Sequence, residues 1–157
     1  FPSCRHTPTW TWNDIQKLFL KSDRIINLNP DYQRGYVWTQ DQKERFIEFK
    51  LKGGIGGNIL YWNYPNQVDD IGESDWHNTY ELVDGKQRLN AVLGFLNNEV
   101  KAFGKYLSEY SDAKLAMKRQ TYYFDFHINN LATKREVVEW YLGLNNGGTV
   151  HTKNAMP

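Results

Sequence analysis

The chain has 157 residues, 40% hydrophobic and 24% charged, a composition that excludes a disordered protein and predicts one folded domain. Its 19 Lys and Arg residues balance 18 Asp and Glu residues, for a net charge of +1, which excludes a strongly basic nucleic-acid coat but not a local basic groove. The single cysteine, Cys4, excludes a disulfide framework and a cysteine-rich zinc site, and no apolar run is long enough to span a membrane. A cytoplasmic enzyme or binding domain remains.

The first half of the chain predicts two helices, each followed by a strand. Thr11 or Asn13 caps the first helix, and Thr39 opens the second through a capping box with Gln42. Glycines at 53, 54, 56 and 57 end the second helix. The predicted elements are the helix Trp12–Leu20, the strand Arg24–Leu28, the loop Asn29–Trp38, the helix from Thr39 and the strand Asn58–Trp62.

The second half alternates strands and helices in the same way. Thr133 with Glu136 forms a further capping box. Together the two halves predict one small α/β or α+β domain, a sheet with flanking helices. The predicted elements are an exposed acidic loop Tyr64–Asn78, the strand Thr79–Val83, the helix Lys86–Leu96, a weak strand Val100–Phe103, a short helix ending near Gln120, the strand Thr121–Ile128 and a helix from Thr133 to about Leu144.

The stretch ELVDGKQR, residues 81–88, predicts an anion site, because a buried strand ends in Asp-Gly where a helix begins. The first N–H groups of a helix lack internal partners and carry the positive end of its dipole. Gly85 lets the backbone approach a ligand, and Arg88 is able to grip a phosphate with two donors. Gln87 is suited to a ribose, a base or a water, and Asp84 to a metal-bound water or the role of base. The alternative is an N-cap aspartate followed by solvated polar residues.

Two further stretches carry chemistry. The loop NPDYQRGYVW, residues 29–38, presents Gln33 and Arg34. A second arginine suits a polyphosphate or a nucleic-acid backbone, unless Arg34 pairs with an internal acid. The stretch LNNGGTVHT, residues 144–152, offers a glycine nest for an anion and His151 as an acid or base. Its alternative is an ordinary glycine C-cap followed by a surface tail.

Taken in order, the three motifs resemble the domain of unknown function 262 family, the N-terminal domain of GmrSD-type, modification-dependent restriction enzymes. The resemblance covers about residues 25–152 and implies a single ParB/sulfiredoxin-like α+β domain, in which a Gly-x-x-Arg helix start binds nucleotide phosphates. It implies nucleotide binding, often with hydrolysis, coupled to DNA recognition or cleavage. The family commonly has Gln where this chain has Lys86, whose ammonium favours phosphate. We expect no C-terminal HNH nuclease domain in this chain. The nucleotide site implied by the resemblance comprises Gln33, Arg34, Asp84, Gly85, Lys86, Gln87, Arg88, Asn145, Gly147 and Gly148.

The first hypothesis is a nucleoside-triphosphate-binding domain with weak triphosphatase activity, acting with Mg²⁺ in restriction or phage defence. Arg34, Arg88 and the helix start at Gly85 would hold the phosphates, and Asp84 or Gln87 would orient the attacking water. No metal ligand is assigned with certainty, although Asp84 suits one through water. A separate nuclease subunit or a host protein is an expected partner.

Two alternatives remain open. One is a DNA-binding or DNA-nicking module, and the other is a non-catalytic interaction protein, such as an inhibitor of a host enzyme. The acidic loop from Asp69 to Asp75 would then meet a basic partner. The basic side chains that would contact DNA phosphates are Lys101, Lys105, Lys114, Lys118 and Arg119.

Overall fold

A five-stranded mixed sheet lies at the centre of the residues that the computed structural model describes, which are 7–21, 25–33, 37–65, 75–112 and 121–146. The strand order is β1-β5-β3-β4-β2. The pairs β1–β5 and β3–β4 are antiparallel, whereas β3–β5 and β2–β4 are parallel. The strands are β1 (Thr9–Thr11), β2 (Ile25–Asn27), β3 (Ile59–Asn63), β4 (Thr79–Asp84) and β5 (Tyr123–Asn129).

Four α-helices flank this sheet in the described ranges, which confirms the predicted α+β class in a single compact domain. The helix from Lys86 to Leu96 has the predicted bounds. Thr11 caps the first helix by accepting the N–H of Asp14 at 3.2 Å, and the predicted capping box at Thr39 is present. The helices are α1 (Trp12–Lys21), α2 (Gln40–Leu51), α3 (Lys86–Leu96) and α4 (Lys134–Asn146).

One expected strand is absent, and one observed strand was not expected. Val100–Phe103 does not form a strand, because Phe103 and Gly104 both take positive φ and turn the chain back on itself. The strand β1 was not predicted, since three residues are too few to show an alternating pattern. The predicted acidic loop lies largely outside the described residues, with a 3₁₀ turn at Asp75–Asn78. Where a short helix before Gln120 is predicted, the described residues form a 3₁₀ turn at Leu107–Glu109. The rest of that segment, residues 113–120, lies outside the described ranges.

The two faces of the sheet carry hydrophobic clusters of different size. The main cluster joins the sheet to α1, α2 and α3, and the second joins it to α4. Alternation along β4 divides neighbouring side chains between them, so that Leu82 enters the main cluster and Val83 the second. The strand β4 therefore runs between two packed layers and ends at Asp84, where the chain turns into α3. Among the described residues, none of the helices combines the length and apolar character needed to cross a membrane.

Candidate functional site

Gly85 joins β4 to α3 in a backbone conformation that glycine alone adopts freely. Its φ is +111°, in the left-handed region, and it occupies the N-cap of α3 without a side-chain hydrogen bond to the helix. A Cβ atom here would lie 2.4 Å from Cδ2 of Leu60 and 3.3 Å from Nη2 of Arg88. Because the first N–H groups of a helix have no internal partner, the missing side chain leaves this helix end open to an anion.

Arg88 lies in the first turn of α3 and packs its guanidinium against β3. Its Nη2 donates a hydrogen bond to the carbonyl of Ile59 at 2.9 Å, whereas its Nε is buried and has no partner among the described residues. Burial lowers the pKa of Arg88, and the negative charge of Asp84 opposes that shift. A buried donor without an acceptor costs roughly 1–3 kcal/mol, so an anion that reached Nε would remove this cost.

Asp84 places a half-buried carboxylate at the end of β4, beside the start of α3. It is the register partner of Tyr61 in β3, and both side chains lie close enough to Arg88 to act on its pKa. Over the part of the chain that the structure describes, no three His, Cys, Asp or Glu side chains are grouped to hold a metal ion.

Gln33 fastens the second motif to the end of β4. Its Nε2 donates to the carbonyls of Leu82 at 2.5 Å and Val83 at 2.8 Å. A glutamine amide has two N–H groups, so both are used by the backbone and only Oε1 remains for a ligand. The role of Gln33 in the structure is thus to position the loop, and any contact with a ligand would be made through that oxygen.

Two side chains of α3 hold the same loop. Oε1 of Gln87 accepts the N–H of Trp38 at 2.9 Å, and Nζ of Lys86 donates to Oδ1 of Asn29. The two ends of the loop are therefore tied to the first turn of α3. The structure brings the first and second motifs together, as their combination into one site requires.

The third motif begins at the end of α4, near the same loop. Asn145 donates through Nδ2 to the carbonyl of Tyr141 at 2.8 Å, and the ring of Tyr141 lies 5.3 Å from that of Tyr32. Burial, followed by the negative charge of Glu81, raises the pKa of Tyr32. Four predicted site residues lie outside the described residues, and they are Arg34, Gly147, Gly148 and His151.

Sequence reasoning missed a glycine-rich turn that lies beside Arg88. Gly57 has φ +71°, and a Cβ atom there would lie 3.4 Å from Cδ of Arg88 and 2.9 Å from Cε1 of Phe46. From the sequence, these glycines are expected to end α2 and lead the chain into the next strand, with no role beside Arg88. The signal available in the sequence was their position directly before a strand, at the same edge of the sheet as Gly85.

A buried lysine holds this turn in shape. Lys50 is 5% exposed, and its Nζ donates to the carbonyls of Gly54 and Gly56, each at 3.0 Å, and to Oδ1 of Asn58. Burial lowers the pKa of Lys50. Nothing in the sequence marks this residue, because a lysine near a helix end is ordinarily solvated.

The structure defines a compact mixed α+β domain in which a helix that begins after a glycine carries a half-buried arginine in its first turn. Residues 15–141 match the family described as GmrSD restriction endonuclease, N-terminal domain, and the chain belongs to this family. No curated protein and no solved structure matches the chain. The resemblance to GmrSD-type N-terminal domains is confirmed, and the match contains the first two motifs but ends before the third. Family membership links the chain to restriction and so to defence against phage.

Proposed function

We propose that this domain binds a nucleoside triphosphate whose phosphates sit on the N-terminal end of α3. The observation that carries the proposal is the helix start at Gly85, which has no side-chain cap, next to Arg88, a half-buried arginine whose buried Nε has no acceptor among the described residues. Helix-terminal N–H groups and guanidinium groups are strong donors to phosphate oxygens. Both are present within one helical turn, between the glycine turn and the loop that carries Gln33.

Lys86 adds a positive charge at the same helix end. Its ammonium contacts Asn29, and its flexible four-carbon stem allows it to exchange that amide oxygen for a phosphate oxygen. Arg34 would add a second guanidinium from the loop, as the resemblance implies. The positive charges and the helix dipole together favour a polyphosphate over a neutral ligand.

We further propose a weak triphosphatase activity. Mg²⁺ brought by the nucleotide would neutralise phosphate charge, and an ion that keeps several waters and takes few carboxylates fits a site with Asp84 as its acidic group. Asp84 would accept the proton of the attacking water. Gln87, whose Oε1 is held by Trp38, would position that water through its amide nitrogen. Positioning and charge stabilisation would supply most of the rate.

In a restriction system, this nucleotide chemistry would control the cutting of DNA. The family description names an endonuclease, so we propose DNA as the substrate of the complete system and a nuclease domain or subunit as the partner of this domain. Cytoplasmic action follows from that proposal, because foreign DNA is met there.

A pair of variants tests the phosphate site with a matched control. Lys86→Met and Asn29→Ala both remove the hydrogen bond between these residues, but only Lys86→Met removes the positive charge. Calorimetric titration with ATP, GTP, CTP and UTP, each with and without Mg²⁺, should identify a preferred nucleotide. We expect Lys86→Met to weaken its binding by about 10-fold or more, the value of one charged hydrogen bond, and Asn29→Ala to leave binding within about 2-fold.

The result that would contradict the proposal is equally clear. If no nucleotide binds the unaltered protein, or if both variants lose the same affinity, the helix start is not a phosphate site. If a preferred nucleotide does bind, an assay of inorganic phosphate release from that nucleotide shows whether it is also hydrolysed. An Asp84→Asn variant that binds normally but releases no phosphate would support the assigned role of Asp84.

A further inference from the structure

A tight hairpin between α3 and β5 displays an aromatic ring at its tip. Ala102 and Lys105 form an antiparallel bridge, with N–H to carbonyl distances of 2.8 and 3.1 Å in the two directions. The two residues between them, Phe103 and Gly104, have φ values of +52° and +77°, the pattern of a type I′ turn. The ring of Phe103 is 49% exposed.

The conformation of Phe103 is costly and is held by neighbouring groups. A left-handed backbone is unusual for a bulky residue other than glycine and costs roughly 1–3 kcal/mol. The N–H of Phe103 donates to Oε2 of Glu48 in α2 at 2.8 Å, and the hydroxyl of Tyr110 donates to the carbonyl of Ala102. The hairpin is therefore fixed to the body of the domain, and a large apolar side chain occupies a position where Asn or Gly would relieve strain.

Three lysines surround this hairpin, and each places its ammonium over an aromatic ring. Nζ of Lys52 lies 5.4 Å from the ring centroid of Phe103, and Nζ of Lys101 lies 5.0 Å from that of Tyr106. Nζ of Lys105 lies 5.7 Å from the ring centroid of Tyr110. A surface in which aromatic rings and lysines alternate is suited to nucleic acid, since bases stack on rings and phosphates pair with ammonium groups.

The acidic side chains of the same segment decide which form of nucleic acid fits. Glu109 is engaged with the N–H of Tyr106 at 2.7 Å, and Glu99 and Asp112 are exposed. These carboxylates offset the three lysines, so attraction to the dense charge of a duplex is weak and stacking must supply most of the affinity. A ring fixed at a hairpin tip offers that stacking to an unpaired base.

We propose that the Phe103 hairpin binds single-stranded DNA, with one base stacked on Phe103 and adjacent phosphates paired with Lys52, Lys101 and Lys105. This contact uses none of the residues of the proposed nucleotide site. It stands or falls independently of that proposal.

The test is fluorescence anisotropy with a labelled 12-nucleotide oligodeoxythymidine and with a duplex of the same length. We expect tighter binding of the single strand, with log K falling against log [salt] at a slope of about −2, the value for three phosphate contacts. Phe103→Ala should weaken binding by about 5- to 150-fold, the range for loss of one stacked base. Phe103→Trp should retain binding, because it keeps a ring.

Leu142→Ala serves as the control, since Leu142 is an equally exposed apolar side chain (49%) on α4, and it should leave binding unchanged. The proposal is overturned if the unaltered protein does not bind the single strand, if the duplex binds better, or if Phe103→Ala binds normally. Loss of binding in Phe103→Trp, in a protein whose thermal unfolding is unchanged, would also overturn it. Nucleotide titration of Phe103→Ala should match that of the unaltered protein, which keeps the two proposals separate.

Discussion

At the scale of single residues, position 85 imposes two requirements that glycine alone among the amino acids meets together. Its positive φ excludes ordinary side chains, and the space where a Cβ would stand is already occupied by Leu60. These two costs have different origins, since one is a backbone preference and the other is overpacking. They can be separated by comparison with a glycine that has only the first.

Gly53 is that comparison, because its φ is +87° and no heavy atom lies within 4 Å of a Cβ built there. We expect Gly53→Ala to lose about 1–2 kcal/mol of unfolding free energy, the cost of a left-handed residue. Gly85→Ala should lose about 2–4 kcal/mol, because packing strain at Leu60 adds to that cost. Urea denaturation measures both. Equal losses would show that Leu60 moves aside without cost.

The residues of the candidate site show which features of single side chains can be predicted from the sequence and which cannot. The types and positions of Gln33, Gln87 and Arg88 were available from the motifs, and the structure brings all three to one end of β4 and α3. Their partners were not available, because each bonds to a backbone group 29 to 50 positions away in the chain. Sequence spacing does not record such contacts, so the roles of these side chains in holding the backbone appear only in the structure.

At the scale of elements, the loop Asn29–Trp38 and the β4–α3 junction act as one unit in the described residues. The described part of the loop, residues 29–33 and 37–38, contains no helix or strand, and Gln33 attaches it to the sheet by donating twice to β4. These two hydrogen bonds need the N–H groups of Nε2, so a side chain that carries only acceptor atoms cannot form them. A change of Gln33 to an isosteric acid therefore tests them directly.

Gln33→Glu should become less stable as pH rises, whereas Gln33→Leu should lose stability without pH dependence. A carboxylate facing two carbonyl oxygens is repelled, so the pKa of Glu in the folded variant should lie above its unfolded value of about 4.3. A raised folded-state pKa means that stability is highest below pH 4.3 and falls until pH exceeds the folded pKa. Above the folded-state pKa, the unfolding free energy of Gln33→Glu should level off about 2 kcal/mol or more below that of the unaltered protein. Chemical denaturation from pH 4 to 8, with the unaltered protein as reference, measures this difference. A flat profile for Gln33→Glu would show that Gln33 does not donate to β4.

Elements with strong local signals were predicted well, and those determined by distant contacts were not. The helix α3 and the capping box of α2 follow from local chemistry, namely an Asp-Gly junction and the Thr39–Gln42 pair. By contrast, β1 exists because it pairs with β5, and three residues carry no periodicity. The strand predicted at Val100–Phe103 was wrong because a local signal was misleading. The apolar pattern of the segment favours a strand, but Phe103-Gly104 forms a turn.

At the scale of the whole molecule, the two clusters divide the domain into parts of unequal stability. Within the described ranges, eighteen buried residues form the main cluster, whereas the second has three, Val83, Val137 and Trp140. A helix of 13 residues is marginal in water by itself, so α4 depends on this small cluster for its position. The third motif begins on α4, so any contribution of that motif to the proposed site depends on the docking of this helix.

Trp140→Ala should therefore release α4 while the rest of the domain stays folded. Trp140 is 9% exposed and packs at right angles to Tyr61, with ring centroids 5.8 Å apart, and loss of such a side chain costs roughly 3–5 kcal/mol. Hydrogen exchange should show rapid exchange across Lys134–Asn146 and continued protection of α3 and β3, because local opening needs only the second cluster. Leu142→Ala, on the exposed side of the same helix, should leave exchange unchanged. Equal acceleration in α3 and α4 would mean that the domain opens as one unit, so that closure of the site could not be adjusted apart from global stability.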